Sequence, residues 1–264
     1  MTKQPPENES YLRRAGQYQD DEIENLIFDK GGPYITVILS FLTVIVYVWL
    51  MRFFPSFRNP YLVTIAFLLP IPFFMWKIIK LRKQIIKYRR GSFGEKVVAD
   101  ELEKVKRKGF MVIHDFQHKA VGNIDHIAIG PKGVFAIETK CRSKKEENDH
   151  IFFDGDDVYV RNISGYKRLI DNDKGKTACN QAKGAAAELQ KILKTAFPEF
   201  KYVNPVLVFP FWEIEMKYNN NPIVRVSDEK ELYKQLVGRD DYFSDDDVMA
   251  IYDFLAQRNR RSIV

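Results

Sequence analysis

The chain has 264 residues, a formal net charge of +6, 45% hydrophobic and 29% charged residues. That length is enough for one medium-sized domain with an appendage. The mild basic excess permits an anionic partner, either nucleic acid or lipid headgroups, without requiring one. Cys141 and Cys179 are the only cysteines and lie in no CxxC or Cys/His pattern. The composition therefore argues against a disulfide-stapled secreted domain and against a zinc site, and it indicates a reducing compartment.

Residues 1–32 are polar and acidic, and they include Pro5-Pro6 and the run Asp20-Asp21-Glu22. This segment lacks the basic start and the cleavage site of a secretory signal. We expect a mostly disordered or marginally helical extension.

Two apolar stretches follow, at about 33–51 and 60–76, and neither contains a charged residue. About 20 such residues span a bilayer as a helix, so the pattern predicts a transmembrane helical hairpin. Pro70 and Pro72 would kink the second helix, which leaves a re-entrant or tilted segment as an alternative. Two buried helices of a soluble protein are the other alternative.

Basic residues follow the second stretch, in a predicted helix over 77–90. They are Lys77, Lys80, Arg82, Lys83, Lys87, Arg89 and Arg90. The positive-inside rule places this side in the cytoplasm, and two spans return the N-terminus to the same side. A topological role is the simplest explanation of the basic run, although it could also bind anionic headgroups or nucleic-acid phosphates.

Residues 91–264 form the predicted globular domain. Gly91-Ser92 interrupts the helical pattern, and a second helix with apolar residues at helical spacing follows. Those apolar residues are Phe93, Val97, Val98, Leu102 and Val105. A strand over 110–114 and a loop over 115–121 come next. The remaining predicted elements are a hairpin over 151–161, a helix over 179–195, strands over 202–210 and 223–226, and helices over 230–237 and 244–258.

The centre of the domain is a predicted β-hairpin over residues 122–140, with a Gly-Pro-Lys-Gly turn at 130–133. If Gly130 pairs with Gly133, Asp125 lies opposite Glu138 with Cβ atoms about 4.5–5.5 Å apart. Lys140 then points to the same face as Glu138. The alternative is a one-residue bulge at Gly133, which would turn Asp125 toward Thr139 and destroy the arrangement.

Two carboxylates this close repel each other, and a bound divalent cation would relieve the repulsion. Oxygen-rich sites of this kind suit Mg²⁺ or Mn²⁺. An ordinary surface cluster of Asp, Glu and Lys is the alternative from the hairpin alone.

The order of helix, strand, hairpin with Asp…Glu-x-Lys, and helix resembles the core of the PD-(D/E)xK nucleases. Five short motifs resemble, more narrowly, the nuclease-related domain, NERD. They are Gly91-Ser-Phe-Gly-Glu95, His114-Asp115, Gly122-Asn-Ile-Asp-His126, Gly130-Pro-Lys-Gly-Val-Phe135 and Ile137-Glu-Thr-Lys140. The resemblance covers about residues 91–193. It implies an α/β fold with a restriction-endonuclease-like mixed sheet flanked by helices.

The resemblance also implies roles for individual residues. Asp125 and Glu138 would ligate the metal together with the backbone carbonyl of Thr139. Lys140 would orient or activate the attacking water and stabilise charge on the phosphate.

Two helical residues complete the implied catalytic set. Glu95 would ligate a metal through water or a second ion, and Gln181 matches a polar residue on the helix after the hairpin. Each has a simpler reading: Glu95 as a first-turn acid favoured by the helix dipole, and Gln181 as a solvent-facing residue. His114 and His126 are interpreted as strand residues, and Asp115 as the cap of the following turn.

The predicted function is a membrane-anchored, metal-dependent nuclease at the cytoplasmic face. The expected cofactor is Mg²⁺ or Mn²⁺, and the expected substrate is nucleic acid, with DNA as the first candidate. The alternative is a catalytically silent nucleic-acid-binding or scaffolding module at the membrane. Two uncharged spans offer no pathway for a transporter. Expected partners besides nucleic acid are the lipid bilayer, a second copy of the chain, and other membrane or defence proteins. Defence against foreign DNA and restraint of a nonspecific nuclease both explain a membrane tether.

Overall fold

A computed structural model describes residues 12–51, 60–118, 122–144, 146–154, 157–161, 165, 167–169, 177–216, 223–238 and 240–261. The chain divides into two compact units. One unit is Tyr18–Arg90, and the other combines Met1–Gln17 with Gly91–Val264.

The described part of the smaller unit is helical except for a turn at Leu69-Pro70, where the sequence predicted a kink. It contains most of α1 (Gln17–Asn25), a π-helical turn (Leu26–Gly31), α2 (Gly32–Met51), α3 (Pro60–Leu68) and the first part of α4 (Ile71–Lys106). The sequence predicted a mostly disordered or marginally helical extension up to residue 32, and the described part of it is helical from Gln17 onward. The predicted connection at 52–59 lies outside the described residues.

The two apolar stretches form a packed helical pair. Trp49 Nε1 on α2 donates a hydrogen bond of 3.1 Å to Thr64 Oγ1 on α3. The rings of Phe41 and Phe67 meet edge to face at 5.3 Å between centroids. Two helical segments, Gln17–Met51 and Val63–Lys106, have the length and the apolar composition of membrane spans. In the most apolar 18 residues of each segment, only 6% and 0% of the residues are buried, whereas the core helix of a soluble protein is mostly buried.

Helix α4 runs without a break through Gly91, where the sequence predicted an interruption. One glycine costs a helix only about 1 kcal/mol. Val98, Leu102 and Val105 are fully buried farther along the same helix, and their packing offsets that cost. Phe93 was predicted to share this apolar stripe, but its side chain is 58% exposed.

The larger unit is built on a five-stranded mixed sheet in the order β1-β2-β3-β7-β9. The strands are β1 (Met111–His118), β2 (Gly122–Gly130), β3 (Gly133–Thr139), β7 (Val203–Val208) and β9 (Arg225–Ser227). Strands β1, β2 and β3 are antiparallel neighbours, whereas β7 and β9 continue the sheet in parallel. The predicted mixed α/β class is confirmed.

Helices cover both faces of this sheet. Helices α5 (Ala178–Lys194) and α7 (Asp245–Arg261) share one hydrophobic core with residues such as Ile127. The domain half of α4 and helix α6 (Glu229–Val237) share another with residues such as Phe135. The sheet is therefore the middle layer of three, as the sequence predicted.

A second, smaller sheet has the order β6-β5-β4-β8. Strands β4 (His150–Phe153) and β5 (Val158–Arg161) form the predicted hairpin, whereas β6 (Lys167–Leu169) and β8 (Ile214–Met216) were not predicted. These two strands have three residues each, which is too short for an alternating pattern to stand out.

Strand β1 continues past the predicted end at residue 114, and it includes Asp115. Asp115 therefore caps no turn. Its φ is 51°, a left-handed value that is uncommon for a residue with a side chain. Its carboxylate is fully buried and accepts a bond of 2.6 Å from Arg13 Nε. Leu12 also packs against the core, so residues 12–17 are an integral arm of this unit.

We expect Arg13→Ala to lower the free energy of unfolding by about 3 kcal/mol, because it leaves the buried Asp115 carboxylate without its cation. For a domain of this size the melting temperature falls by about 2–4 °C per kcal/mol. Thermal melting of the full chain in detergent measures the change. Arg14→Ala removes the adjacent, exposed arginine and is the matched control. Equal melting temperatures for the two variants would contradict the role of the ion pair.

Candidate functional site

The pairing of β2 with β3 determines whether the predicted site exists. Gly130 pairs with Gly133 across the two-residue turn Pro131-Lys132, and the register runs on to His126 opposite Ile137. Gly133 has φ of +136°, a value that favours glycine. The turn contains no one-residue bulge, and the predicted register is confirmed. The pairing ends there, one residue before Asp125 and one residue before Glu138, and the charge of Glu138 raises the pKa of Asp125.

Strand β3 is the middle strand of the sheet and ends at Thr139. It runs parallel to β7, with Thr139 beside Val208. The backbone N–H of Lys140 donates to the carbonyl oxygen of Val208 at 2.8 Å. The carboxyl ends of β3 and β7 therefore share one edge of the sheet, which is where ligand sites form in α/β proteins.

Two short contacts hold the charged side chains at this edge. Asp125 Oδ2 accepts a hydrogen bond of 2.7 Å from the backbone N–H of Thr139. Lys140 Nζ forms an ion pair of 2.6 Å with Glu138 Oε1. The side chains of Glu138 and Lys140 are only 14% and 20% exposed, so this pair is more strongly coupled than a surface pair.

Helix α4 brings a third carboxylate to the same place. A Cβ added at Gly94 would lie 2.4 Å from Cys141 Cβ, so only glycine allows the helix to approach the chain this closely. Glu95 follows Gly94 and is 1% exposed. Its charge acts on Asp125, as do those of Glu138 and Lys140. The structure thus brings together Glu95, Asp125, Glu138 and Lys140.

The electrostatics of this cluster differ for its acids and its base. Burial, reinforced by Glu138 and Glu95, raises the pKa of Asp125 well above its ordinary value. Lys140 and the bond from Thr139 oppose that shift without cancelling it. Burial alone would lower the pKa of Lys140, but Glu138 and Asp125 outweigh it, and the net pKa is raised. Lys140 is therefore protonated at neutral pH when no metal is bound.

Gln181 lies in the first turn of α5, which packs against β3 and β7. Its Oε1 is buried and has no hydrogen-bond partner among the described residues. Thr139 Oγ1 is also buried and has no hydrogen-bond partner among the described residues. Among the described residues, no hydrogen bond joins Gln181 Oε1 to any of the four charged residues. Gln181 is half-buried and not the solvent-facing residue of the simpler reading.

The donor set fits a hard divalent cation by its chemistry. Carboxylate and carbonyl oxygens are the ligands that Mg²⁺ and Mn²⁺ prefer. A bound cation would favour ionisation of Asp125, which burial, Glu138 and Glu95 oppose. Among the described residues, no group of three or more His, Cys, Asp or Glu side chains is arranged to hold a metal ion. The predicted ligand set is of another kind, with two side-chain carboxylates and one backbone carbonyl.

His114 and His126 are paired residues on β1 and β2, as interpreted from the sequence. Their Nδ1 atoms are 2.8 Å apart. Burial lowers the pKa of His114 to about 4, with Lys106 adding to the effect, and burial with His114 nearby lowers the pKa of His126. Both rings are neutral at physiological pH and form a structural hydrogen bond between the strands.

Arg13 and Asp115 are neighbours of the site that sequence reasoning missed. In the β1–β2 pairing, Asp115 lies between His114 and Phe116, and Asp125 lies between their partners His126 and Ile124. Because the arm is distant in sequence from β1, no local pattern signals the ion pair. The adjacent His114-Asp115 motif was the only available clue.

Residues 90–210 match the family model of the nuclease-related domain, NERD. This part of the chain is therefore a NERD domain. This match includes Glu95, the hairpin, α5 and β7, and it supports a nuclease-related function. Comparisons with the full chain found no significant match among curated proteins. They likewise found none among solved structures.

We expect Asp125→Asn to stabilise the NERD domain at pH 8 without added metal, because the amide removes a buried charge and can still accept the bond from Thr139. A gain of about 1–2 kcal/mol, or several degrees in melting temperature, is the expected size. The wild-type chain loses stability as pH rises through the raised pKa of Asp125, so the advantage of the variant shrinks as pH falls through that pKa.

Melting curves of both proteins from pH 5 to pH 9, with a chelator present, test this expectation. Asp253→Asn, at an exposed position on α7, is the matched control and should show no such pH-dependent difference. A variant that is less stable than wild type at pH 8 would contradict the assigned electrostatics.

Proposed function

We propose that the NERD domain is a metal-dependent nuclease that hydrolyses phosphodiester bonds of nucleic acid, with DNA as the first candidate substrate. The observation that carries the proposal is the cluster at the end of β3. There, a buried Asp125 with a raised pKa lies beside Glu138, Glu95 and the cation Lys140. A buried cluster of like charges is costly for folding, and it is explained when the charges serve a ligand.

Asp125, Glu138 and the carbonyl of Thr139 would hold Mg²⁺ or Mn²⁺. The bound ion would polarise the phosphate and lower the pKa of a water molecule. Lys140 is a fixed cation, and its role is to orient the water and to stabilise negative charge that develops on the phosphate. The ion pair with Glu138 holds the ammonium in position. Glu95 adds negative charge behind Asp125, and Gln181 supplies a buried oxygen acceptor.

Cutting of plasmid DNA by the full chain in detergent, with Mg²⁺ or Mn²⁺, tests the activity. We expect Glu138→Ala and Lys140→Ala to reduce kcat at least about a hundredfold while DNA binding persists, because they remove interactions of the transition state. Glu188→Ala and Lys191→Ala break an exposed acid–lysine pair on α5 and are matched controls.

Binding without cutting on any substrate, with or without metal, would instead favour the silent scaffolding module. The full chain is preferable to a fragment that starts at residue 91, because Arg13 contributes to the folded unit that contains the site.

We further propose that the segment between residues 18 and 90 anchors this domain in a membrane. Exposed apolar side chains on α2, including Leu39 and Val46, face outward. The hydroxyls of Thr36, Ser40 and Thr43 each donate to a carbonyl one turn earlier in the helix, so these polar groups are satisfied within the helix.

Two features support this anchor and an even number of crossings. Lys77 lies over the Trp76 ring, as in the aromatic and basic belts of membrane interfaces. The residues before Tyr18 and after Arg90 belong to one compact unit, which favours a segment between them that leaves and returns on the same side.

Protease protection in sealed vesicles tests this topology. We expect tags at the N-terminus and the C-terminus to be cut from the same side, the cytoplasmic one, and a tag placed within 52–59 to be cut only from the other side. A control tag after residue 154, in the NERD domain, should follow the termini. Opposite protection of the two termini would refute the hairpin topology.

A further inference from the structure

Two aromatic side chains outside the charged cluster are stacked on each other in solvent. The rings of Phe93 and Phe211 have centroids 5.7 Å apart and planes inclined by only 14°. Their side chains are 58% and 50% exposed. Phe211 lies one residue beyond the region that matches the NERD family. Neither residue has a role in the site described above.

This stack is located at the same sheet edge as the candidate site. Phe93 precedes Glu95 by two residues on α4, and the intervening Gly94 packs on Cys141, directly after Lys140. Phe211 follows the end of β7, and its neighbour Trp212 donates from Nε1 to the carbonyl oxygen of Arg142 at 3.1 Å. The segments that carry the stack therefore contact the chain immediately after β3.

The backbone at Phe211 is strained. Its φ is 68°, a left-handed value that costs a bulky residue about 1–3 kcal/mol. The N–H of Phe211 donates to Glu229 Oε2 at 2.8 Å, and the following Trp212 is buried. These contacts hold the strained turn and aim an aromatic ring into solvent. Because an exposed ring gains little from folding, this cost is explained if the ring binds a ligand.

The charge of the segment after β3 indicates which ligand the two rings bind. Lys140, Arg142 and Lys144 follow β3 in the sequence. Lys144 Nζ lies 5.6 Å from the centre of the buried Trp212 ring, and Trp212 is the chain neighbour of the exposed Phe211. Cations beside exposed aromatic rings are the combination that binds single-stranded nucleic acid, in which phosphates meet the cations and unpaired bases stack on the rings. Bases within a duplex are already stacked and do not offer their faces.

We propose that Phe93 and Phe211 form a platform on which an unpaired base of the substrate stacks, next to the phosphate that the charged cluster cleaves. This inference rests on the proposed nuclease function and refines its substrate class. The site is selective for single strands or for unpaired ends over continuous duplex.

Phe211→Asn is the sharpest variant, since asparagine tolerates the left-handed backbone and the turn is retained. We expect it to weaken binding of a fluorescent single strand of about 20 thymidines by about tenfold, which corresponds to about 1.4 kcal/mol. Duplex of equal length should bind with a dissociation constant changed less than about twofold. Fluorescence anisotropy of the full chain in detergent, with a chelator to prevent cutting, measures both constants. The melting temperature of the variant should be equal to or above that of wild type.

Phe93→Ala should reproduce the loss, and Phe211→Trp should restore single-strand binding because it keeps an aromatic face. Tyr202→Ala is the matched control: Tyr202 is 48% exposed and precedes β7, at the opposite edge of the sheet. An equal loss on single strand and duplex, or no loss on either, would overturn the stacking inference.

Three further outcomes separate the possible failures. If wild type neither binds nor cuts any nucleic acid, the nuclease proposal fails, whatever the variants do. If wild type cuts DNA and only the discrimination by Phe211→Asn is missing, the nuclease proposal stands and the platform is refuted. Extra quenching of Phe211→Trp relative to wild type by brominated lipids in nanodiscs would assign the stack to the membrane surface and also refute the platform.

Discussion

The hydrogen bond from the backbone N–H of Thr139 to the side chain of Asp125 depends on the register of the β2–β3 hairpin. The positions of the other charged side chains at the site depend on the same register. Because side chains on a strand alternate between faces, a shift of one residue at the Pro131-Lys132 turn would send Glu138 and Lys140 away from Asp125. A two-residue turn closed by Gly130 and Gly133 prevents that shift.

The fold contains a group of buried carboxylates whose ionisation is unfavourable for folding. Asp125 is buried beside two other carboxylates, and its raised pKa records the cost of ionising it there. Lys140 reduces this cost only in part. Burial of apolar side chains on both faces of the helix-covered sheet offsets this cost. Such a balance is typical of sites in which function and stability compete.

Residues outside the family match contribute to the folded unit that contains the NERD domain. Arg13 precedes the apolar helices, yet it pairs with Asp115 in β1. Phe211 lies just past the family match, yet it stacks on Phe93 near its start. Neither pair has a periodic or local signature, because each forms only when separate elements meet. Phe93 even fits the helical pattern of a core residue, and only the packing leaves it exposed.

By itself, the sequence determined the mixed α/β class, the two apolar helices and the hairpin, because alternation, helical periodicity and turn glycines act over a few residues. The register of the hairpin, for which the sequence left a bulge at Gly133 open, was decided by the structure. The sequence also singled out Asp125, Glu138, Lys140 and Glu95 through motifs at compatible spacing. Tertiary structure alone decided that α4 continues through Gly91, that β1 extends over a left-handed Asp115, and that residues 12–17 belong to the domain. These outcomes depend on burial and on contacts with residues far along the chain. The free energy of those contacts exceeds the local conformational preferences on which a sequence-based prediction relies.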